Sequence, residues 1–255
     1  MIRFTPIRPD PAAPLARANP VAKLVAAVVL MAVLFVSADP LTAALVLAGL
    51  ALCVPLTGVP PRDLLARTWP LLLAAVSVGV LNVVLGASGT GAVGWLAGIG
   101  LGMRLLAIAL AGVLALATTD PTDLADALQQ QARLSPRVAV GALAAVRLMP
   151  ILVAEWQILR LARRARGVEA GRSPIAAVRL ALGMLLALLV SAVRRATRLA
   201  TAMEARGFGA LPCRTIARPM RMRATDWGWI AAAAILGSGA VASSVATGSW
   251  RFVFG

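Results

Sequence analysis

Charged residues are unevenly spaced along this chain, and the gaps between them are long enough to be read as helices through a lipid bilayer. A helical crossing takes roughly 20 predominantly apolar residues, because every backbone N–H and C=O must be satisfied within the segment. Five stretches meet that requirement: Pro20 to about Ala38, Pro40 to Val59, about Trp69 to Leu85, about Gly94 to Ala117, and Trp227 to about Thr247. Asp39-Pro40 separates the first two, and the small-residue loop "GASGTG" follows the third. A sixth apolar run, Leu180 to Val193, offers only fourteen residues without a charge, and a crossing there would carry Arg194 through Arg223 to the other side. It is read instead as a buried or interfacial helix.

The interval 119–225 has helical periodicity of another kind. "TTDPTDLADALQQ" offers Thr119 or Asp120 as N-cap, Pro121 at the first helical position, and Asp123 and Asp126 near the positive end of the helix dipole. Ser135-Pro136 starts a helix expected to reach about Met149, and Pro150 starts or kinks a further helix reaching Arg166. In that stretch Leu152, Trp156 and Leu159 recur on one face, with Gln157, Arg160 and Arg164 on another. Leu189, Val193, Ala196, Ala200 and Met203 form a second stripe, with Arg194, Arg198 and Thr201 beside it. The expected fold class is an all-α membrane protein of about five transmembrane helices, with a cytoplasmic domain of amphipathic helices inserted before the last. The expected division is 1–118 for an N-terminal arm and four spans, 119–225 for the inserted domain, and 226–255 for the last span and tail.

Composition agrees with a bilayer as the solvent. Hydrophobic residues make up 60% of 255, and the mean hydropathy of +0.87 is beyond that of soluble domains. The net charge of +15 does not mark a nucleic-acid surface, because 4% aromatics and no Tyr provide no platform for stacking bases. Residues 1–23 carry Arg3, Arg8, Arg17 and Lys23, the loop after the second span carries Arg62 and Arg67, and 119–225 carries seventeen arginines. The loops around Asp39 and residues 86–94 carry none. Basic residues stay in the cytoplasm, so the amino terminus and 119–225 are assigned there, and five spans then leave "SWRFVFG" outside. Five prolines between Pro6 and Pro20 suggest an extended arm. The basic flank, apolar core and "VSA" before Asp39 also fit a signal peptide, but a second span begins immediately, and the first run is read as a span.

Several chemistries lack their residues. There is no His, Lys23 is the only lysine, and Cys53 and Cys213 lie 160 positions apart in no metal-binding spacing. No G-x-x-x-x-G-K-[ST] occurs, so if ATP is used it is bound by another subunit, and no cofactor is expected on this chain. Asp120, Asp123 and Asp126 resemble an acidic metal motif of lipid-phosphate transferases, but the accompanying glycine is missing, and an acidic first turn is the better account. Arg104 and Lys23, each near the end of a span, are expected to snorkel. Gly79, Gly86, Gly94, Gly98, Gly100 and Gly102 reduce bulk in the third and fourth spans, for close helix packing or for a partner's surface.

One pattern occurs twice. "ARRARG" at 162–167 and "AMEARG" at 202–207 both fit Ala-x-x-Ala-Arg-Gly, with their glycines forty positions apart. Glycine past the last turn is the left-handed C-cap, and a cation in the last turn suits the negative end of the dipole. That accounts for either end alone, but not for the pair. Small residues let a helix tip approach a partner closely, a guanidinium can hold a carboxylate by two bonds, and two equal tips suit two equal sockets.

With these residues in place, the sequence resembles the transmembrane T component of energy-coupling factor transporters, the group that includes cobalt, biotin and general vitamin scaffolds. Asn19-Pro20-x-x-Lys23 is similar to the family's Asp-Pro-x-x-Lys, with Asn in place of Asp. "TTDPTDLADAL", Pro136, "AAVRLMPILVAEWQILRLARRARG" and "ATRLATAMEARGFG" resemble the family's coupling segment in its order. The resemblance implies a non-catalytic scaffold in a prokaryotic cell membrane. Its coupling helices would dock into a pair of cytoplasmic ATP-binding-cassette ATPases, and its spans would hold a small substrate-binding S component for vitamin or transition-metal uptake. By match to the motif, Ala165, Arg166 and Gly167 would enter one ATPase and Ala205, Arg206 and Gly207 the other, supported by Arg163, Arg164 and Glu204.

Two other classes compete. A self-sufficient secondary transporter or channel would need polar groups at the membrane midplane, where Arg104 and Asn82 are the candidates. A membrane protease or phosphotransferase would need a His, a cytoplasmic catalytic Lys or an acidic cluster that the sequence lacks.

Overall fold

The computed structural model describes residues 13–85, 92–132, 134–168, 171, 173–208 and 218–250. The expected arm over residues 1–12, the "GASGTG" loop, Cys213 and the last five residues lie outside the described residues. The elements are α1 (Pro20–Val36), α2 (Pro40–Cys53) continued by a 3-10 turn (Val54–Thr57), α3 (Pro61–Leu85), α4 (Ala92–Ala117), α5 (Pro121–Gln131), α6 (Pro136–Ala165), α7 (Pro174–Ala205) and α8 (Ala224–Ala246). Proline opens six of these helices, where its missing N–H is one of the donors a helix start leaves unpaired anyway. Side chains of Asn19, Asp39, Asp120 and Ser173 cap four of those starts. Asp120 is thus the cap of α5 and Asp123 lies in its first turn, as an acidic helix start requires.

α1–α5 and α8 form one compact unit, and α6 with α7 a second. In the first, Leu30, Leu34, Val46, Leu50, Ala107, Leu114 and Ala233 make a core among α1, α2, α4 and α8. Large apolar side chains such as Val28, Phe35, Leu52, Leu81, Val84 and Ile99 face outward, the surface expected of a multi-pass membrane protein. The glycines of α3 and α4 serve close packing: a Cβ on Gly98 would lie 2.6 Å from the Gly79 carbonyl oxygen, and one on Gly79 2.8 Å from the Gly98 oxygen. Gly100 makes room in the same way for Pro40.

Polar ties fasten both ends of this unit. At one end the Asn19 N–H donates to Asp226 Oδ1 at 2.8 Å, and Asp226 Oδ2 accepts from the Arg223 N–H at 2.7 Å, closing the start of α8. Lys23 Nζ donates to the Thr118 carbonyl at 2.8 Å and the Ala16 carbonyl at 3.2 Å. Lys23 is therefore buried, at 5% exposure, and does not snorkel, because backbone carbonyls just past α4 and in the turn before α1 replace its water. At the other end Asp39 accepts from Ser244 Oγ at 2.6 Å, from the Thr42 N–H at 2.7 Å and from Ser37 Oγ. Arg104 Nη2 donates to the Phe35 carbonyl at 2.7 Å, satisfying the last turn of α1.

Three helices differ from the pattern-based expectation. α3 begins at Pro61, eight residues before the expected Trp69, since hydropathy marks where a helix is apolar and not where it starts. α6 runs through Pro150 as one 30-residue helix; the carbonyl four residues back belongs to Val146, which is exposed, and the Ala-, Leu- and Arg-rich flanks favour helix on both sides. α7 is one 32-residue helix that contains the whole Leu180–Val193 run. By length and composition six described helices could cross a membrane, α6 and α7 among them, while α1 at 17 residues is slightly short of that measure. Neither length nor apolar composition therefore separates α6 and α7 from the other candidate spans.

Candidate functional site

Both Ala-Arg-Gly ends close their helices in the same conformation. At the α6 end the N–H groups of Arg166 and Val168 donate to the Arg163 carbonyl at 3.1 and 3.0 Å, and the Gly167 N–H donates to the Arg164 carbonyl at 3.0 Å. At the α7 end the N–H groups of Arg206 and Phe208 donate to Met203 at 3.1 and 3.0 Å, and the Gly207 N–H donates to Glu204 at 2.9 Å. This is the Schellman arrangement in both places. Gly167 has φ +74° and Gly207 φ +77°, a left-handed backbone that a side chain disfavours. The capping role is thus real, and it leaves Ala165, Arg166, Gly167, Ala205, Arg206 and Gly207 all exposed.

The supporting residues divide. Arg163 turns back along the hairpin, its Nη1 donating to the Leu180 carbonyl at 3.1 Å, and Gly183 leaves room for the guanidinium, since a Cβ there would be 3.3 Å from Nη1. Arg164 and Glu204 stay exposed near their tips.

α6 and α7 run antiparallel. Glu155 meets Ser191 and Arg195, Arg163 meets Leu180, and Arg137, Gly141 and Ala144 face Ala200, Met203 and Phe208 across a groove of about 490 Å³. The tip of α6 therefore lies beside the start of α7 and the tip of α7 beside the start of α6, about 40 Å apart along the hairpin at 1.5 Å per residue. The structure does not bring the two motifs together; it places them at opposite ends of one antiparallel hairpin. Leu152, Trp156 and Leu159 are half-buried while Gln157, Arg160 and Arg164 are exposed, matching the expected faces. The α7 stripe is different: Ala196, Ala200 and Met203 line the groove, and Leu189 and Val193 are left exposed.

Pattern reading did not single out Glu155, Asp39 or Asp226 as organising residues. Each is an acid in apolar or basic surroundings, and that isolation was the available signal, because a carboxylate so placed must find donors.

Comparison with known proteins gives a consistent picture. Residues 11–215 match the family model CbiQ, described as cobalt transport protein. The energy-coupling factor transporter transmembrane protein EcfT of Limosilactobacillus fermentum is 32% identical over 82% of this chain and 85% of its own length. The proteins of that name in Lacticaseibacillus paracasei, at 30% identity over 83% and 87%, and Staphylococcus aureus, at 27% over 82% and 84%, are similar to a comparable extent.

Proposed function

The chain belongs to the CbiQ cobalt transport protein family, as a transmembrane T component of an energy-coupling factor transporter, and from that membership we propose that it is the non-catalytic scaffold that passes ATP-driven movement from two cytoplasmic ATPases to a membrane-bound solute receptor. The observation that carries this reading is the pair of Schellman-capped Arg-Gly tips, exposed at opposite ends of one antiparallel hairpin.

In this reading each tip enters one ATP-binding-cassette ATPase. The αL glycine ends the helix without bulk, and the exposed guanidinium of Arg166 or Arg206 pairs with a carboxylate in the receiving groove. Two tips on one rigid hairpin convert relative motion of the two ATPases into motion of the hairpin. The membrane helices hold a small S component that selects the vitamin or transition-metal ion and is reoriented by that motion. The amino terminus and the α6–α7 unit then lie on the cytoplasmic side of a prokaryotic plasma membrane, a reading that the arginine distribution supports. Arg104, the intramembrane charge on which a self-sufficient transporter would rely, is committed to the Phe35 carbonyl, which weighs against that alternative.

The test is affinity capture of the solubilised chain from its native membranes, parent beside the Arg166→Glu, Arg206→Glu double variant, with identification of co-purifying proteins. Charge reversal at a guanidinium–carboxylate contact removes attraction and adds repulsion. The parent is expected to bring down ATPases and a small membrane protein, and the variant to lose the ATPases. Recovery of no ATPase with either form would return both tips to ordinary helix caps.

A further inference from the structure

Glu155 is the single carboxylate on α6, and it sits where the hairpin changes character. Its Oε1 accepts from Ser191 Oγ at 2.7 Å and its Oε2 from Arg195 Nη2 at 2.8 Å. From this tie toward the α6 tip the helices are held together by Arg163 on the Leu180 carbonyl, with Gly183 against the guanidinium. In the other direction they part, and Gly141, Ala144 and Ala145 face Ala196 and Ala200 across the groove. Building on the docking reading above, we propose that Glu155 is a positioning residue: it fixes the angle at which α7 leaves α6, and so the place where the Arg206–Gly207 tip meets its socket.

The lever arm makes the point quantitative. Arg195 lies eleven residues from Arg206, about 16 Å of helix, so a rotation of about 10° at the tie moves the tip by about 3 Å. A recognition site needs its groups within roughly 0.5 Å of the productive geometry. On α6 and α7 themselves the one further acid is Glu204, near the α7 tip, beside nine arginines. Without Glu155, Arg195 keeps company with other cations. The Glu155 and Arg195 side chains are 25% and 37% exposed, and pairs so exposed contribute little to stability. The effect of the pair is therefore on placement more than on folding.

The test uses the complete transporter in lipid, with Cys53 and Cys213 changed to serine and spin labels on cysteines introduced at the exposed positions Arg160 and Thr201. The parent is expected to give one narrow label-to-label distance. Glu155→Ala is expected to shift or widen it by about 1.5 Å or more, Thr201 being six residues from the tie, and to leave ATP hydrolysis without matching uptake, at parental levels of chain in the membrane. Glu155→Arg combined with Arg195→Glu, which rebuilds the pair in reverse, returns the parental distance. An unchanged distance in Glu155→Ala overturns the proposal, as does a parental ratio of uptake to hydrolysis at an altered distance. Glu155→Gln provides the same readouts if the alanine variant does not accumulate. Docking is judged separately by the capture experiment: if that succeeds while the label distance ignores Glu155, the positioning role alone is lost.

Discussion

Asn19 and Asp226 are 207 positions apart in the chain and joined by a hydrogen bond of 2.8 Å between the backbone N–H of the first and Oδ1 of the second. The same carboxylate accepts the Arg223 N–H, so one buried side chain sets both the entry to α1 and the start of α8. Asp226→Ala leaves two N–H donors without an acceptor, and a loss of about 2–3 kcal/mol is expected. Thermal unfolding in detergent measures it; an unchanged midpoint would show that the tie contributes nothing.

At the opposite end Asp39 adds a dependence on acid. Burial alone would raise its pKa, but hydrogen bonds from Ser244, Ser37 and Thr42 outweigh it and hold the group below its ordinary value of 3.8. A carboxyl depressed in the folded state contributes stability that is present above the unfolded pKa and lost as pH falls through the folded one. Between neutral pH and about pH 5, Asp39 should therefore leave stability flat, with its contribution fading below pH 3.8. Asp39→Asn should flatten that acid limb; a limb as steep as the parent's would assign the acid sensitivity to other groups.

Two glycines in helices should respond in opposite directions. Gly98→Val drives a branched side chain into the Gly79 carbonyl and should cost about 1–3 kcal/mol or prevent α3 and α4 from closing. Gly141→Ala meets nothing within 4 Å and should stabilise by up to about 1 kcal/mol through helix propensity. Equal unfolding midpoints for the two variants would contradict the close approach of α3 and α4.

At the tips the relevant quantity is backbone conformation, because a Cβ at Gly167 or Gly207 has open space around it. Gly207→Val should cost about 1–2 kcal/mol locally and weaken ATPase capture, while Gly207→Asn, which tolerates the left-handed region, should retain most of it. Equal capture by the Val and Asn variants would mean that the bare glycine surface matters and its φ does not.

The sequence was most readable where a residue type has one common reason for its position. Pro20, Pro40, Pro121 and Pro136 open helices as expected, and Gly167 and Gly207 end them. Pro150 does not start a new helix, because a proline's penalty is local, whereas the helix on either side is favoured over many residues. The same holds for α7, which runs on past the charges that flank its apolar run. For Lys23 and Arg104, a cation near the end of an apolar run could be placed, but its partner could not: the Thr118 and Phe35 carbonyls are ordinary backbone, invisible to any pattern of side chains. Both tips were legible as motifs. Their separation was not, since it follows from the antiparallel crossing of α6 and α7.

That crossing turns the hairpin into a caliper. The gap between its jaws is written in residue number: each residue inserted in α7 between Arg195 and Arg206 would carry the Gly207 jaw about 1.5 Å outward and swing its arginine by about 100° around the helix axis. Substitutions on the exposed faces leave this gauge alone, while a single insertion or deletion resets both its span and its aim.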